Sequence, residues 1–270
     1  MSNPKPIVIT RPIGQARPLA QRLTGLGYEV AMFPLLEIEG LQVDSALYAQ
    51  LQQTLGQLPR FALAVFVSPN AVHSVFAALD QLGLTWPNAL ALAVVGEGSR
   101  VALAEHGIND ATHRIYCPTD PFRSDSETLL LELDLPTLKG RDALIFRAES
   151  GRELLSDALL EHGINVTKVV AYRRLSPTSD GDDATRLAQQ LQGLVFNSSA
   201  WVVSSSEALR TLVELTKKLL GDATVVHLQQ VNLLVSHHRI VETAEKCEFK
   251  CIRLIGSGDE NLLLALQSSP

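Results

Sequence analysis

The chain has 270 residues, 46% hydrophobic and 19% charged, a globular balance with enough length for two cores of ordinary size. Its formal net charge of −6 and the lack of any basic run argue against a nucleic-acid partner. No apolar run reaches the ~18–20 residues of a membrane span, and the opening Met1-Ser2-Asn3-Pro4-Lys5-Pro6 holds no apolar leader, so a cytoplasmic protein is expected.

Short β-branched runs alternate with segments of helical period, the pattern of parallel strands joined by crossover helices, hence an α/β fold. Residues 7–10 read as a strand. A helix follows over 15–26, with Leu19, Leu23 and Leu26 on one face and Gly27 as its stop. Residues 30–33 form the next strand, and 34–39 an extended stretch in turn-forming sequence. Further strands are expected at 61–67, 91–95, 142–146 and 167–172. Helices are expected near 69–82, 97–106, 124–133 and 151–161, each opening on Ser, Pro, Glu or Gly. Residues 182–192 are helical in period, with Leu187 and Leu191 on one face. The stretch 194–200 interrupts the step to a strand at 201–203 and is expected to be an irregular insertion.

Much of this pattern occurs twice, about 136–140 residues apart. Arg11-Pro12-Ile13-Gly14-Gln15, with Leu19, Leu23, Gly27 and Val30, returns as Arg147-Ala148-Glu149-Ser150-Gly151, with Leu155, Leu159, Gly163 and Val166. Phe66 to Val72 returns as Val203 to Leu209, and Val95 to Val101, more faintly, as Val235 to Val241. Ser126 to Leu131 returns as Asp259 to Leu264. Four similarities in one order imply a duplicated unit, hence two similar lobes bordering a cleft. A split near 135–140 would make the lobes sequential. Extended stretches near 34–40 and 169–177 would instead make one lobe discontinuous, from residues 1–38 plus 176–270, around a middle lobe of 40–170.

In open parallel sheets, ligands bind beyond the carboxyl ends of the strands. Here those ends carry Thr10-Arg11, Ser68-Pro69-Asn70, Gly96-Glu97-Gly98-Ser99, Arg147 with Arg152, Ser204-Ser205-Ser206 and Ser236-His237-His238-Arg239. Hydroxyls, backbone N–H groups at helix starts and guanidinium forks suit a guest bearing several carboxylates or phosphates. Ser, Asn and Gly at these places also serve as ordinary helix caps, and the arginines as ordinary ion pairs.

Other chemistries find little support. Cys117, Cys247 and Cys251 match no disulfide framework and read as scattered core thiols. With His237 and His238 they lack the spacing of a metal site. Gly96-Glu97-Gly98-Ser99-Arg100-Val101 lacks the third glycine of a dinucleotide fingerprint. His73, His106, His113, His162 and His227 stand singly and read as surface or packing residues.

Together, Ile9-Thr10-Arg11-Pro12, Phe66 to Val72, Val95 to Ser99, Ser124-Asp125-Ser126-Glu127 before a leucine run, Phe146-Arg147 with Gly151-Arg152-Glu153, and Val170-Ala171-Tyr172-Arg173 resemble the uroporphyrinogen-III synthase family. The resemblance spans nearly the whole chain and rests on the order and spacing of the motifs. It implies two flavodoxin-like lobes, each a parallel sheet flanked by helices, with a discontinuous first domain and a two-stranded connector. It also implies a monomer without metal or organic cofactor that cyclises hydroxymethylbilane, a linear tetrapyrrole, inverting the terminal ring and losing water. On that reading Arg11, Ser68, Asn70, Gly96, Ser99, Arg147, Arg152, Ser205, Ser206 and Arg239 bind the substrate's acetate and propionate groups. Tyr172 assists loss of water, since a phenol is ordinarily protonated at neutral pH; an interfacial tyrosine that only packs is the alternative. Ser236-His237-His238-Arg239 departs from the family's usual turn, so Arg239 would replace a hydroxyl contact there. A two-lobed binding protein for an anionic small molecule and a two-domain glycosyltransferase are the competing functions.

Overall fold

The structure is a computed structural model that describes residues 5–120, 125–177 and 181–268. The expected helix start at Ser124, and Met1 to Pro4 of the opening segment, lie outside the described residues. The chain divides into two compact units: one joins the segment ending at Glu37 to the segment beginning at Leu175, and the other is Ile38–Arg174.

In chain order, the first unit opens with β1 (Ile7–Ile9), α1 (Ile13–Gly25) and β2 (Val30–Met32). β3 (Glu37–Gly40) leads into the second unit, which continues with α2 (Ala46–Leu55), β4 (Leu63–Phe66), α3 (Pro69–Leu82), β5 (Ala91–Val94), α4 (Glu97–Glu105) and β6 (Ile115–Tyr116). It is completed by α5 (Ser126–Glu132), α6 (Leu135–Leu138), β7 (Asp142–Ala148), α7 (Leu154–Glu161) and β8 (Asn165–Leu175). The chain then returns to the first unit through α8 (Gly181–Asn197), β9 (Ala200–Val203), α9 (Ser206–Leu220) and α10 (Asp222–Leu228). β10 (Asn232–Val235), α11 (His238–Lys246), β11 (Cys251–Leu254) and α12 (Asp259–Gln267) follow. The sheets run β11-β10-β9-β1-β2 and β3-β8-β7-β4-β5-β6. The strand pairs within β1–β2, β4–β8 and β9–β11 are parallel, as the alternation of strand and helix requires.

Strand side chains alternate between two apolar layers in each unit. In the first unit, Ile7, Ile9, Ala200, Val202 and Leu234 pack with Leu19 and Leu23 of α1 and Leu262 of α12. Val8, Trp201, Val203, Leu233 and Val235 face the other way, onto α8, α9, α10 and α11. In the second unit, Leu63, Val65, Ala93, Ala143 and Ile145 meet Leu129 of α5 with Leu155 and Leu159 of α7. Ala64, Phe66, Leu92, Val94, Leu144 and Phe146 meet α2, α3 and α4, around stacked Phe66, Phe76 and Phe146 beside Trp86.

The internal repeat explains why the sheets match. The Arg11 and Arg147 repeats are β1–α1 and β7–α7; the second pair is β4–α3 and β9–α9; the third is β5–α4 and β10–α11; the last is α5 and α12. Substituting one copy for the other turns β11-β10-β9-β1-β2 into β6-β5-β4-β7-β8, the order found in the second unit. Each unit therefore takes the front part of one copy and the back part of the other.

Three expectations are corrected. Residues 194–200 are not an irregular insertion: α8 runs on to Asn197, and only Ser198 and Ser199 separate it from β9. The cause is a continued apolar face, Leu187, Leu191, Leu194 and Val195, which packs on the β9–β10 side of the sheet. Trp201 then fastens the turn by donating its indole N–H to Ser198 Oγ at 2.7 Å. His73 and His106 do not stand singly, since their rings hydrogen-bond at 3.2 Å (Nδ1 to Nε2) and His106 stacks on Phe76. Cys251 is an exposed thiol on the edge strand β11 rather than a core one, while Cys117 and Cys247 are partly buried. The helices α2, α6 and α10 and the edge strands β6 and β11 escaped the periodicity reading, and α9, β10, α11 and α12 entered it only through the repeat; β6 was missed because two residues carry no period.

Candidate active site

In the second unit, Ser68 and Arg174 meet at Tyr172. Along β8 the register against β7 slips once: Val170 faces Arg147, but Tyr172 faces Ala148. The extra residue, Ala171, is a β-bulge, and it reverses the face that Tyr172 would otherwise take. Val169, Ala171 and Tyr172 consequently all join the layer under α3 and α4. There Tyr172 Oη lies 2.9 Å from Ser68 Oγ. Ser68 stands at the N-cap of α3 and accepts the Ala71 N–H at 3.2 Å. Arg174, two residues along β8, donates to Tyr172 Oη at 3.2 Å, with its guanidinium carbon 5.7 Å from the ring centroid. Tyr172 has no exposed surface.

The neighbouring helix start belongs to the same corner. A Cβ at Gly98 would sit 3.5 Å from Pro69 Cγ, so the first turns of α3 and α4 touch. Ser68 and Asn70 flank Pro69, and Gly96 and Ser99 lie within two residues of Gly98. Gly96 is the buried N-cap position of α4, and Ser99 is only 2% exposed on its first turn.

Arg147 and Arg152 lie apart from that group, toward α5 and α7. Arg147, 8% exposed, donates to Glu153 Oε1 at 2.7 Å. Glu153 also accepts from Lys168 at 2.9 Å and Ser156 at 3.0 Å. These bonds, from Lys168 first and then Arg147 and Ser156, hold its carboxyl down at about 2. Arg152 forms a two-pronged pair with Glu127 on the first turn of α5, which keeps that carboxyl below its ordinary range.

In the first unit, Arg11 follows β1 and donates to Asp259 of α12 at 2.5 Å. Ser205 caps α9 by accepting the N–H groups of Glu207 and Ala208. Ser206 Oγ donates to the Arg239 carbonyl at 3.3 Å, which brings those two residues together on the first turns of α9 and α11. His237 precedes α11 and hydrogen-bonds Ser257 Oγ at 3.0 Å through Nε2. Sequence reasoning missed Arg174, Ser257 and the acidic partners Glu127, Glu153 and Asp259. Their signals were present: Arg174 shares a strand face with Tyr172, and Asp259 occupies the repeat position of Ser126. Among the described residues, no group of three His, Cys, Asp or Glu side chains is placed to hold a metal ion, and no helix is long and apolar enough to cross a membrane.

Two mostly parallel sheets flanked by helices, with hydroxyl, amide and guanidinium groups at their strand ends, define an α/β protein of two similar units. The family model described as uroporphyrinogen-III synthase HemD matches residues 17–254. The chain is 31% identical over 264 residues to uroporphyrinogen-III synthase of Escherichia coli (strain K12), covering 97% of this chain and 99% of that relative. It is 30% identical over 263 residues to uroporphyrinogen-III synthase of Salmonella typhimurium, with the same coverage. Among solved structures, a mutant uroporphyrinogen III synthase from the extreme thermophile Thermus thermophilus shares the fold with a TM-score of 0.64 at 19% identity, covering 98% of this chain and 100% of that one. The Helicobacter pylori 26695 uroporphyrinogen-III synthetase gives 0.56 at 17% identity, with the same coverage. The chain belongs to the uroporphyrinogen-III synthase family, a family of hydro-lyases in porphyrin biosynthesis that act on a tetrapyrrole.

Proposed function

We propose that this chain cyclises hydroxymethylbilane to the type III macrocycle, with Tyr172 as the acid that helps the hydroxyl leave. The observation that carries the site assignment is the bulge that turns Tyr172 onto Ser68, where Arg174 also reaches the phenol oxygen. The phenol gives its proton to the substrate's hydroxyl, which departs as water and leaves a delocalised azafulvenium cation. The terminal ring attacks that cation through its substituted carbon to give a spiro intermediate. Fragmentation and recombination invert the ring, and the proton lost in restoring the aromatic pyrrole returns to the phenolate. Only water leaves, and no electrons are transferred, so the sequence of steps calls for neither metal nor organic cofactor.

Substrate recognition is assigned to Ser68, Asn70, Gly96 and Ser99 with Arg147 and Arg152 in the second unit, and to Arg11, Ser205, Ser206 and Arg239 in the first. Acetate and propionate groups would compete for arginines now paired with Asp259, Glu127 and Glu153. Because Tyr172 is buried, proton delivery requires the chain around it to open locally. Ser99 is also buried, and its backbone N–H is bonded to the Gly96 carbonyl at 3.0 Å, so its part in binding requires the same local opening. The compact units support reading residues 1–38 with 176–270 as one domain and 40–170 as the other. Three free cysteines suit a reducing, cytoplasmic setting, in which the chain acts as a monomer.

The test is incubation with freshly prepared hydroxymethylbilane, followed by separation of the oxidised products. Excess type III isomer supports the proposal, and type I alone rejects it in favour of an anion-binding protein. Tyr172→Phe should lower kcat by about 100-fold without abolishing turnover, the usual worth of a positioned acid. Undiminished turnover would remove the acid role.

A further inference from the structure

We infer that Arg174 is a positioning residue for this reaction: it keeps the Tyr172 proton from being committed to Ser68 and neutralises the oxygen that the proton leaves behind. The inference rests on the acid role proposed for Tyr172, which it deepens.

Hydrogen-bond inventory decides the direction of the proton. A guanidinium has donors only, so Tyr172 Oη must accept from Arg174. Ser68 Oγ already accepts the Ala71 N–H and can pass its own proton to Tyr172 Oη, 2.9 Å away. In that arrangement the phenol oxygen accepts twice and its own proton is not spent on either neighbour. It is available for a leaving hydroxyl. Without Arg174 the competing arrangement, in which Tyr172 donates to Ser68, loses its rival, and the proton is committed inside the protein.

The same guanidinium answers the charge problem. Transfer of the proton leaves a negative oxygen in a buried layer of Phe66, Phe146 and Ala171, where an unpaired charge is costly. Arg174 keeps its positive charge throughout, and a donor bonded to a phenolate is stronger than the same donor bonded to a phenol. Its guanidinium carbon also lies within cation–π range of the ring, at 5.7 Å, so the phenol is held from its face as well as its edge. Strand parity makes this an i, i+2 device: Arg173 between them points the other way and pairs with Glu149 at 2.8 Å.

The experiment compares the full-length wild type, Arg174→Met, Arg174→Lys, Tyr172→Phe and the Tyr172→Phe/Arg174→Met double variant on hydroxymethylbilane, with thermal midpoints confirming that each is folded. Arg174→Met should lower kcat about 10- to 100-fold, the worth of one charge-assisted hydrogen bond, and leave KM within about 2-fold. Arg174→Lys should recover much of the loss. In the Tyr172→Phe background the Arg174→Met change should cost nothing further, because there is no proton left to keep free. An unchanged kcat in Arg174→Met, an effect confined to KM, or an equal loss in both backgrounds would overturn the inference while leaving the acid role intact. Full activity of Tyr172→Phe would overturn the acid role itself. Should Arg174→Met fail to fold, Arg174→Lys and its combination with Tyr172→Phe carry the same comparison.

Discussion

The two units are made from the same parts, yet the proposed acid, Tyr172, lies in the second. Their sheets share the order of five strands, and the serines that start α3 and α9, Ser68 and Ser205, are repeat equivalents that cap their helices in the same manner. The difference lies in the strand next to the first of each copy. In the first unit β2 is three residues long, whereas its counterpart β8 has eleven and contains the bulge. The 136-residue spacing that relates Arg147 to Arg11 relates Tyr172 to Leu36, a buried apolar residue packed beside Phe33. The repeat thus gives two frames with similar helix starts, and in one of them a longer, kinked strand brings a phenol to the capping serine. Ser205 spends its oxygen on two backbone N–H groups, while Ser68 accepts one and holds a phenol besides.

Experiments on matched positions sharpen this contrast. The largest effect should come from the core of the first unit. Trp201 is fully buried, edge-on to Phe33, and its indole N–H holds the turn after α8. Trp201→Ala should cost about 3–5 kcal/mol in urea unfolding, since it opens a large cavity and strands Ser198. A cost below about 1 kcal/mol would mean that this layer is not a packed core.

The serine pair gives the sharper comparison. Ser68→Ala and Ser205→Ala should each lose about 1 kcal/mol of stability, the usual worth of an N-cap. Only Ser68→Ala should lower kcat, by several-fold, whereas Ser205→Ala should act on KM. Equal kinetic effects would erase the distinction drawn between the units.

The smallest effect concerns the acidic partner of Arg147. Glu153 is held at about 2 by Lys168, Arg147 and Ser156. A depressed carboxyl stabilises the folded state above its ordinary range near pH 4.5, and that contribution fades as pH falls toward 2. Wild type should therefore lose its advantage over Glu153→Gln between pH 5 and about pH 2 in thermal midpoints, whereas above pH 5 the difference should be flat. A difference independent of pH would show that Glu153 acts through packing alone.

Much of this architecture could be read from residue order. Alternating β-branched and helix-period segments gave the α/β class, the helix at 69–82 to the residue, and the internal repeat. The motifs around Arg11, Ser68, Gly96 and Tyr172 pointed to the family. The reading failed where a pattern depends on its partner. Asn197-Ser198-Ser199 looked like a break, although Leu194 and Val195 continue a helical face that only the sheet beneath makes visible. The arginines at the strand ends were legible as cations, but their carboxylate partners were not. Arg11 and Asp259 are 248 residues apart, and no local period links them.

Hydrophobic periodicity acts over a few residues, which is why the kinds of element and their succession are written locally along this chain. Which strands become neighbours, how the front of one copy completes the back of the other, and which way Tyr172 faces are settled by contacts far apart in the chain. Ser68 and Tyr172 meet across 104 residues because the register slip opposite Arg147 and Ala148 gives β8 one residue more than β7 can match. A one-residue shift moves a strand side chain to the opposite face, so the position of the phenol is a property of the assembled sheet.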